Sequence, residues 1–256
     1  MNEENGLYLY CVAEGNEEKS LGKIGIETNE VYTIAYRNLC ALVHRCPARP
    51  YQSKDEEVVK KWVQTHQKVL DIATEKFGNI LPSAFDTIIK SNNSATAEGT
   101  LKIWLAKEYE NLKNKLDKLR GKAEYGVQIF WDPKIMANKV AGKNKEIEKL
   151  KEQIKSKPKG TAYMFKYKLE KVLKIEMERE IDRYFKYFYE IIKKCVDNLK
   201  VEKVKRGEEG KQMLLNLSCL ISKDGYKNLG EELEKINKLD GFSVRFSGPW
   251  PPYSFV

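Results

Sequence analysis

The chain has 256 residues, of which 41% are hydrophobic, enough for one large domain or two small ones with a packed core. No apolar run approaches the roughly 18 to 20 residues that cross a bilayer. Met1-Asn2-Glu3-Glu4 lacks the basic start and apolar stretch of a signal peptide, so the chain is expected to stay inside the cell.

The first predicted element, Leu7-Tyr8-Leu9-Tyr10-Cys11-Val12, is apolar on both alternating faces, which suits a central strand. Val31–Tyr36 and Leu39–Val43 are separated only by Arg37-Asn38, the spacing of a tight hairpin. After Pro47 and Pro50, Ser53 with Glu56 predicts a capping box. The helix it opens carries Val59, Trp62, Val63, His66, Leu70, Ala73 and Phe77 and stops at Gly78. A second amphipathic helix is expected from about Ala95 to Gly121, with both helices covering one face of the small sheet.

A new strand, Val127–Trp131, is stopped by Asp132-Pro133, and the next begins near Met213. The segment between them is read as a long helical hairpin over about residues 133 to 206, turned at Lys157-Pro158-Lys159-Gly160. Its first arm is thinly apolar at Met136, Val140, Ile147, Leu150 and Ile154, and its second carries a dense stripe from Leu169 through Phe185, Phe188 and Ile192 to Leu199. A turn at Asp224-Gly225, a short helix through Tyr226, Leu229, Leu233 and Ile236, and a strand alternating Phe242, Val244 and Phe246 close the pattern. The fold class expected is α+β with two domains. Residues 1–121 form a small sheet covered by helices, and residues 122–256 form a ferredoxin-like split βαβ layer whose first crossover has grown into the hairpin.

The formal charge of +9 has an address. Residues 133 to 206 hold 22 Lys or Arg against 11 Asp or Glu, and the rest holds 24 against 26. Tyr163, Phe165, Tyr167, Tyr184, Tyr187 and Tyr189 interleave with these lysines, a combination that single-strand nucleic-acid binders use. Against that reading, Glu170 with Lys174, Asp182 with Lys186 and Glu190 with Lys194 pair opposite charges at i,i+4, as on a solvated or partner-facing helix. Nucleic-acid binding through the hairpin is the alternative function.

Enzyme signatures are missing: there is no phosphate-binding loop, no dinucleotide fingerprint and no nucleophile elbow. The histidines are His44 and His66. His66 on an apolar helix stripe reads as a core or interdomain histidine, and His44 with Cys46 at a strand end supplies two metal-ligand types without a further pair nearby. Cys11, Cys40, Cys46, Cys195 and Cys219 lie mostly in apolar runs and read as reduced packing residues. No catalytic, cofactor-binding or metal-binding residue is assigned.

Three prolines fall in the last eight residues, so the segment from Gly248 is expected to be extended and stiff, carrying Trp250, Tyr253 and Phe255 into a groove of its own domain or of a partner. This stretch, Gly248-Pro249-Trp250-Pro251-Pro252-Tyr253-Ser254-Phe255, resembles the terminal signature of the gas vesicle protein F and L family. Further stretches fall in that family's order: Leu7-Tyr8-Leu9-Tyr10, the block from His66 through Leu81-Pro82 to Phe85, and Glu124-Tyr125-Gly126-Val127 with Trp131-Asp132. Gly160-Thr161-Ala162-Tyr163 resembles the opening of the family's long helix. Where many members read Leu-Pro-x-Arg-Phe-Gly-Thr, this chain has Ala84 for the arginine and Asp86 for the glycine.

The resemblance implies a two-domain accessory protein, not an enzyme, that takes part in assembling gas vesicles, the gas-filled buoyancy shells of cells. It implies location in the vesicle with a cytoplasmic soluble pool. The partners it implies are the small hydrophobic shell protein, held chaperone-like from aggregating, and other accessory proteins. Neither a membrane nor a cofactor is implied. The residues expected to meet such a partner are Trp250, Tyr253 and Phe255 of the tail and Tyr184, Phe185, Phe188 and Ile192 of the hairpin, with packing on their own domain as the competing reading.

Overall fold

Nine residues, Gly6–Glu14, form β1, and all but the last are buried because both faces of the strand are apolar. The computed structural model describes residues 6–205, 207 and 210–256. Met1 to Glu4, read above for a signal peptide, and Arg206 at the end of the expected hairpin lie outside the described residues. Among the described residues the architecture is mixed α+β, with two sheets and six α-helices. Two compact units emerge: the chain up to Glu124 together with Pro249–Val256, and Tyr125–Gly248. The proline-rich segment, grouped by the sequence reading with the C-terminal domain, therefore packs in the first unit.

In the first sheet, β2 (Ser20–Gly22), β3 (Val31–Tyr36), β4 (Leu39–Cys46), β1 and β5 (Ile80–Pro82) lie side by side in that order. The hairpin closes through Arg37-Asn38 with Tyr36 opposite Leu39. The far edge of β1 is shared: Cys11–Ala13 pair with β5, and Gly6–Tyr8 pair with β6 (Ile88–Lys90). Opposite β4, Leu9 faces Val43 and Cys11 faces Leu42, which leaves Tyr10 as the extra residue of a β-bulge. The bulge lets Tyr8, Tyr10, Cys11 and Ala13 all enter one buried cluster, where alternation alone would turn some of them away.

That cluster packs on α1 (Glu56–Phe77) through Val69, Leu70 and Ala73. The helix is capped by Asp55, whose carboxylate accepts the Glu57 N–H at 2.9 Å. The expected Ser53–Glu56 box does not form, because Ser53 Oγ instead accepts the Asp55 N–H at 3.0 Å. α2 (Ala97–Leu119) starts at its cap Thr96 and buries Leu101, Leu105, Leu112 and Leu116. It contacts β1 and β3 on the face opposite α1, its Tyr109 ring meeting Tyr36 edge-on. The helices thus cover both faces and not one, as a strand apolar on both sides requires.

The second unit orders its strands β10 (Phe242–Trp250), β7 (Lys122–Trp131), β9 (Gln212–Ser222), β8 (Asn198–Val201). Between β7 and β8 run α3 (Pro133–Lys143), α4 (Lys145–Ser156) and α5 (Lys159–Cys195). The first arm of the expected hairpin is therefore two helices. Asn144 ends one and caps the next, its side-chain oxygen accepting the Glu146 and Ile147 N–H groups at 2.9 and 3.3 Å. The second arm stops at Cys195, and Asn198–Val201 become an edge strand antiparallel to β9. Asp224 and Gly225, expected as a turn, lie inside α6 (Lys223–Asn237). Val127, Ile129, Phe188, Ile192, Leu215, Leu217, Leu229 and Leu233 form this unit's core.

Candidate functional site

Both histidines of the chain converge between the first sheet and α1. His44 comes from β4 and His66 from α1, and each is buried, with fractional exposures of 0% and 3%. The Tyr8 hydroxyl lies 2.9 Å from His66 Nδ1 and accepts the Asp86 backbone N–H at 3.0 Å. The Tyr10 hydroxyl lies 2.8 Å from His44 Nδ1 and accepts the Ile26 N–H at 3.1 Å. Each phenol oxygen already accepts a backbone N–H, and its own O–H has an acceptor in Nδ1 when the imidazole proton sits on Nε2. On the outward side His44 Nε2 lies 3.0 Å from the Tyr51 hydroxyl, and His66 Nε2 lies 3.2 Å from the Tyr253 hydroxyl.

The two relays are crossed. Tyr8, bonded to His66, stacks on His44 with centroids 4.9 Å apart, and Tyr10, bonded to His44, stacks on His66 at 5.5 Å. Asp86 ties them again, since its carboxylate accepts the Tyr51 N–H at 3.0 Å while its own N–H serves Tyr8. Asp86 has φ of 67°, in the left-handed region where glycine is unstrained and aspartate is tolerated.

Burial sets the electrostatics. It lowers both imidazoles to about 4, opposed at His66 by a smaller upward pull from the Ser83 backbone. It raises the Tyr8, Tyr10 and Tyr51 hydroxyls well above their ordinary value, and Tyr253 to about 12. At neutral pH both imidazoles and the four phenols are therefore uncharged, a scaffold for binding.

What it binds is the proline-rich segment. Pro251 and Pro252 are buried, Tyr253 reaches His66, and Ser254 delivers its backbone N–H and its hydroxyl to the two carboxylate oxygens of Glu124 at 2.8 and 2.6 Å. Tyr253 to Phe255 form a 3-10 turn, so the segment is extended only through its prolines. Pro249 sits in β10, an edge strand, where a missing N–H is tolerated.

The residues expected to meet a partner part company here. Trp250 and Tyr253 keep 47% and 38% of their surface exposed, and Phe255 is half-buried. Phe188 and Ile192 are fully buried core residues of the second unit, and Tyr184 and Phe185 pack against that core. α5 exposes Tyr163, Met164 and Tyr167 about one to two turns from its start, and Tyr187 towards its end. Around α5 the charges pair, Arg179 with Glu176, Arg183 with Glu180 and Lys186 with Asp182. His44 and Cys46 lie in β4, and among the described residues no group of three or more His, Cys, Asp or Glu could hold a metal. Tyr8, Tyr10, Tyr51, Asp86 and Glu124 were not singled out as site residues, although two tyrosines in a strand predicted to be buried already demand polar partners.

A family model described as gas vesicle synthesis protein GvpL/GvpF matches residues 6–256. Gas vesicle protein L1 of Halobacterium salinarum is 29% identical over 98% of this chain and 90% of its own length. Gas vesicle protein F of Dolichospermum flosaquae is 22% identical over 98% and 97%. The crystal structure of GvpF from Anabaena sp. PCC7120 superposes with a TM-score of 0.76 at 19% identity, covering 98% of each chain, so the fold is shared.

Proposed function

The chain belongs to the gas vesicle synthesis protein GvpL/GvpF family, and from that premise we propose that it serves gas vesicle assembly without catalysis, binding the small hydrophobic shell protein before and during nucleation. The observation that supports this reading is the exposed Tyr163, Met164 and Tyr167 on a helix that carries Lys166, Lys168 and Lys171 beside them. An apolar strip rimmed with charge binds an aggregation-prone subunit while keeping the complex soluble. Trp250 and the open edge of Tyr253 add a second such surface on the first unit. Other accessory proteins of the vesicle are the further partners, with the chain at the vesicle and in the surrounding cytoplasm.

The order β10-β7-β9-β8, with helices between the strands, supports reading the second unit as ferredoxin-like with its first crossover elongated. The test is a pull-down of full-length chain against shell protein at low and high salt, comparing wild type with Tyr163→Ala/Tyr167→Ala and with Trp250→Ala. Binding that survives high salt and drops severalfold in the double variant supports the reading. No binding at either salt, with retention on nucleic acid only at low salt, would transfer the lysine-rich helices to the alternative function.

A further inference from the structure

We propose that the cleft between the Glu27 turn and α1 takes the lysine side chain of a protein partner, with an acidic residue beside that lysine held by Arg49. The cleft, of about 360 Å³, is lined by Glu27, Pro47, Arg49, Pro50, Tyr51 and Trp62 among others. That volume is at the low end for ligand sites, room for one long side chain and its flanking backbone rather than for a helix. Tyr51 and Trp62 form an aromatic corner, their rings 68° apart with centroids at 5.2 Å, and such a corner offers a cation two ring surfaces. Tyr51 is fixed from behind: its N–H donates to the Asp86 carboxylate at 3.0 Å, and its hydroxyl lies 3.0 Å from His44 Nε2. Pro47 and Pro50 stiffen the segment leading to it. The buried network thus holds this wall in place before a ligand arrives.

The opposite wall carries a carboxylate on strained backbone. Glu27 and Thr28 have φ of 55° and 61°, a region that residues with a Cβ rarely occupy, and such strain collects at ligand clamps. The turn is pinned by the Gly25 N–H on the Asn29 carbonyl at 2.9 Å and by the Ile26 N–H on the Tyr10 hydroxyl at 3.1 Å. Among the described residues neither the Glu27 carboxylate nor the Arg49 guanidinium has an ion-pair partner, and the Trp62 indole N–H has no acceptor. Opposite charges that share a cleft without pairing complement a ligand of both signs. A lysine lays its apolar stem along the prolines and brings its ammonium to the rings and Glu27, while a neighbouring carboxylate meets the fork of Arg49. A nucleotide stacked on Trp62 would use Arg49 alone and leave its phosphate facing Glu27. These residues belong to the first unit and are not those proposed to bind shell protein, so the two readings fail separately.

The probe is the capped peptide acetyl-Ala-Lys-Asp-Ala-amide, titrated into the full-length chain at roughly millimolar concentration. The Trp62 indole N–H, assigned with Trp62→Phe, is followed by NMR. It should shift saturably, and norleucine in place of lysine should weaken binding roughly fivefold. Glu27→Gln should weaken the lysine peptide by the same factor and leave the norleucine peptide unaffected. Arg49→Gln should remove the preference for aspartate over asparagine in the peptide. Both side chains are exposed, so these variants keep the fold. No saturable shift, or equal binding of the lysine and norleucine peptides, overturns the proposal. Tighter binding of adenosine monophosphate than of the lysine peptide would make the cleft a nucleotide-stacking site and overturn it as well.

Discussion

His66 and Tyr253 stand 187 positions apart in sequence, and their side chains meet at 3.2 Å. That bond joins a helix of the first unit to a segment that reaches it only after the whole second unit has intervened. The path of hydrogen bonds runs from the Asp86 amide through Tyr8 and His66 to Tyr253.

Acid should destabilise the first unit. Both histidines sit at about 4 in the folded chain, against an ordinary value near 6.5, so the unfolded chain takes up protons that the folded one refuses. The stabilisation is complete above pH 6.5 and is lost as pH falls towards 4, on the order of 3 kcal/mol for each histidine. Denaturant midpoints measured across that window should fall steadily, and a flat profile would contradict the buried neutral pair.

Tyr8→Phe removes the hydroxyl that serves the Asp86 N–H and His66 Nδ1 together, leaving two buried groups without it. The expected loss is about 1–3 kcal/mol in urea unfolding. In wild type, nitrogen chemical shifts should find His44 and His66 both protonated on Nε2 at pH 7. Protonation on Nδ1 in either would break the relay.

The two aromatic surfaces of α5 should behave oppositely. Phe188→Ala empties a fully buried position and should cost about 3–5 kcal/mol, whereas Tyr167→Ala should stay within about 0.5 kcal/mol of wild type. Equal losses in thermal unfolding would mean that Tyr167 packs where it is drawn as exposed.

Asn144→Ala deletes the cap between α3 and α4 and should cost about 1 kcal/mol. Amide exchange should quicken at Glu146 and Ile147 while Asp132, which caps α3 independently, keeps the Lys134 and Ile135 amides protected.

Periodicity carried much of the fold. β1, the hairpin at Arg37-Asn38, α1 and β10 follow from alternation or helical spacing over neighbouring residues, and their placement needed little else. What escaped were features decided at a distance or by a single residue. The bulge at Tyr10 is invisible to a pattern of alternation, and Asn144 divides a helix that spacing alone would continue. The site was harder still, because His44 meets Tyr10 across 34 positions and His66 meets Tyr8 across 58. Phe188 and Ile192 illustrate the limit from the other side: a stripe at helical spacing shows that a face is apolar, and only the packing partner tells whether it is covered.

The chain leaves the first unit along β7 and comes back along β10, and those strands are neighbours in one sheet. The second unit is thus an insert with its entry and exit already side by side, so returning Pro249–Val256 to their groove does not require gathering the ends of a long flexible loop. The helices α4 and α5 lie in the connection between β7 and β8, and the buried Phe188 and Ile192 of α5 anchor it in the core of that unit.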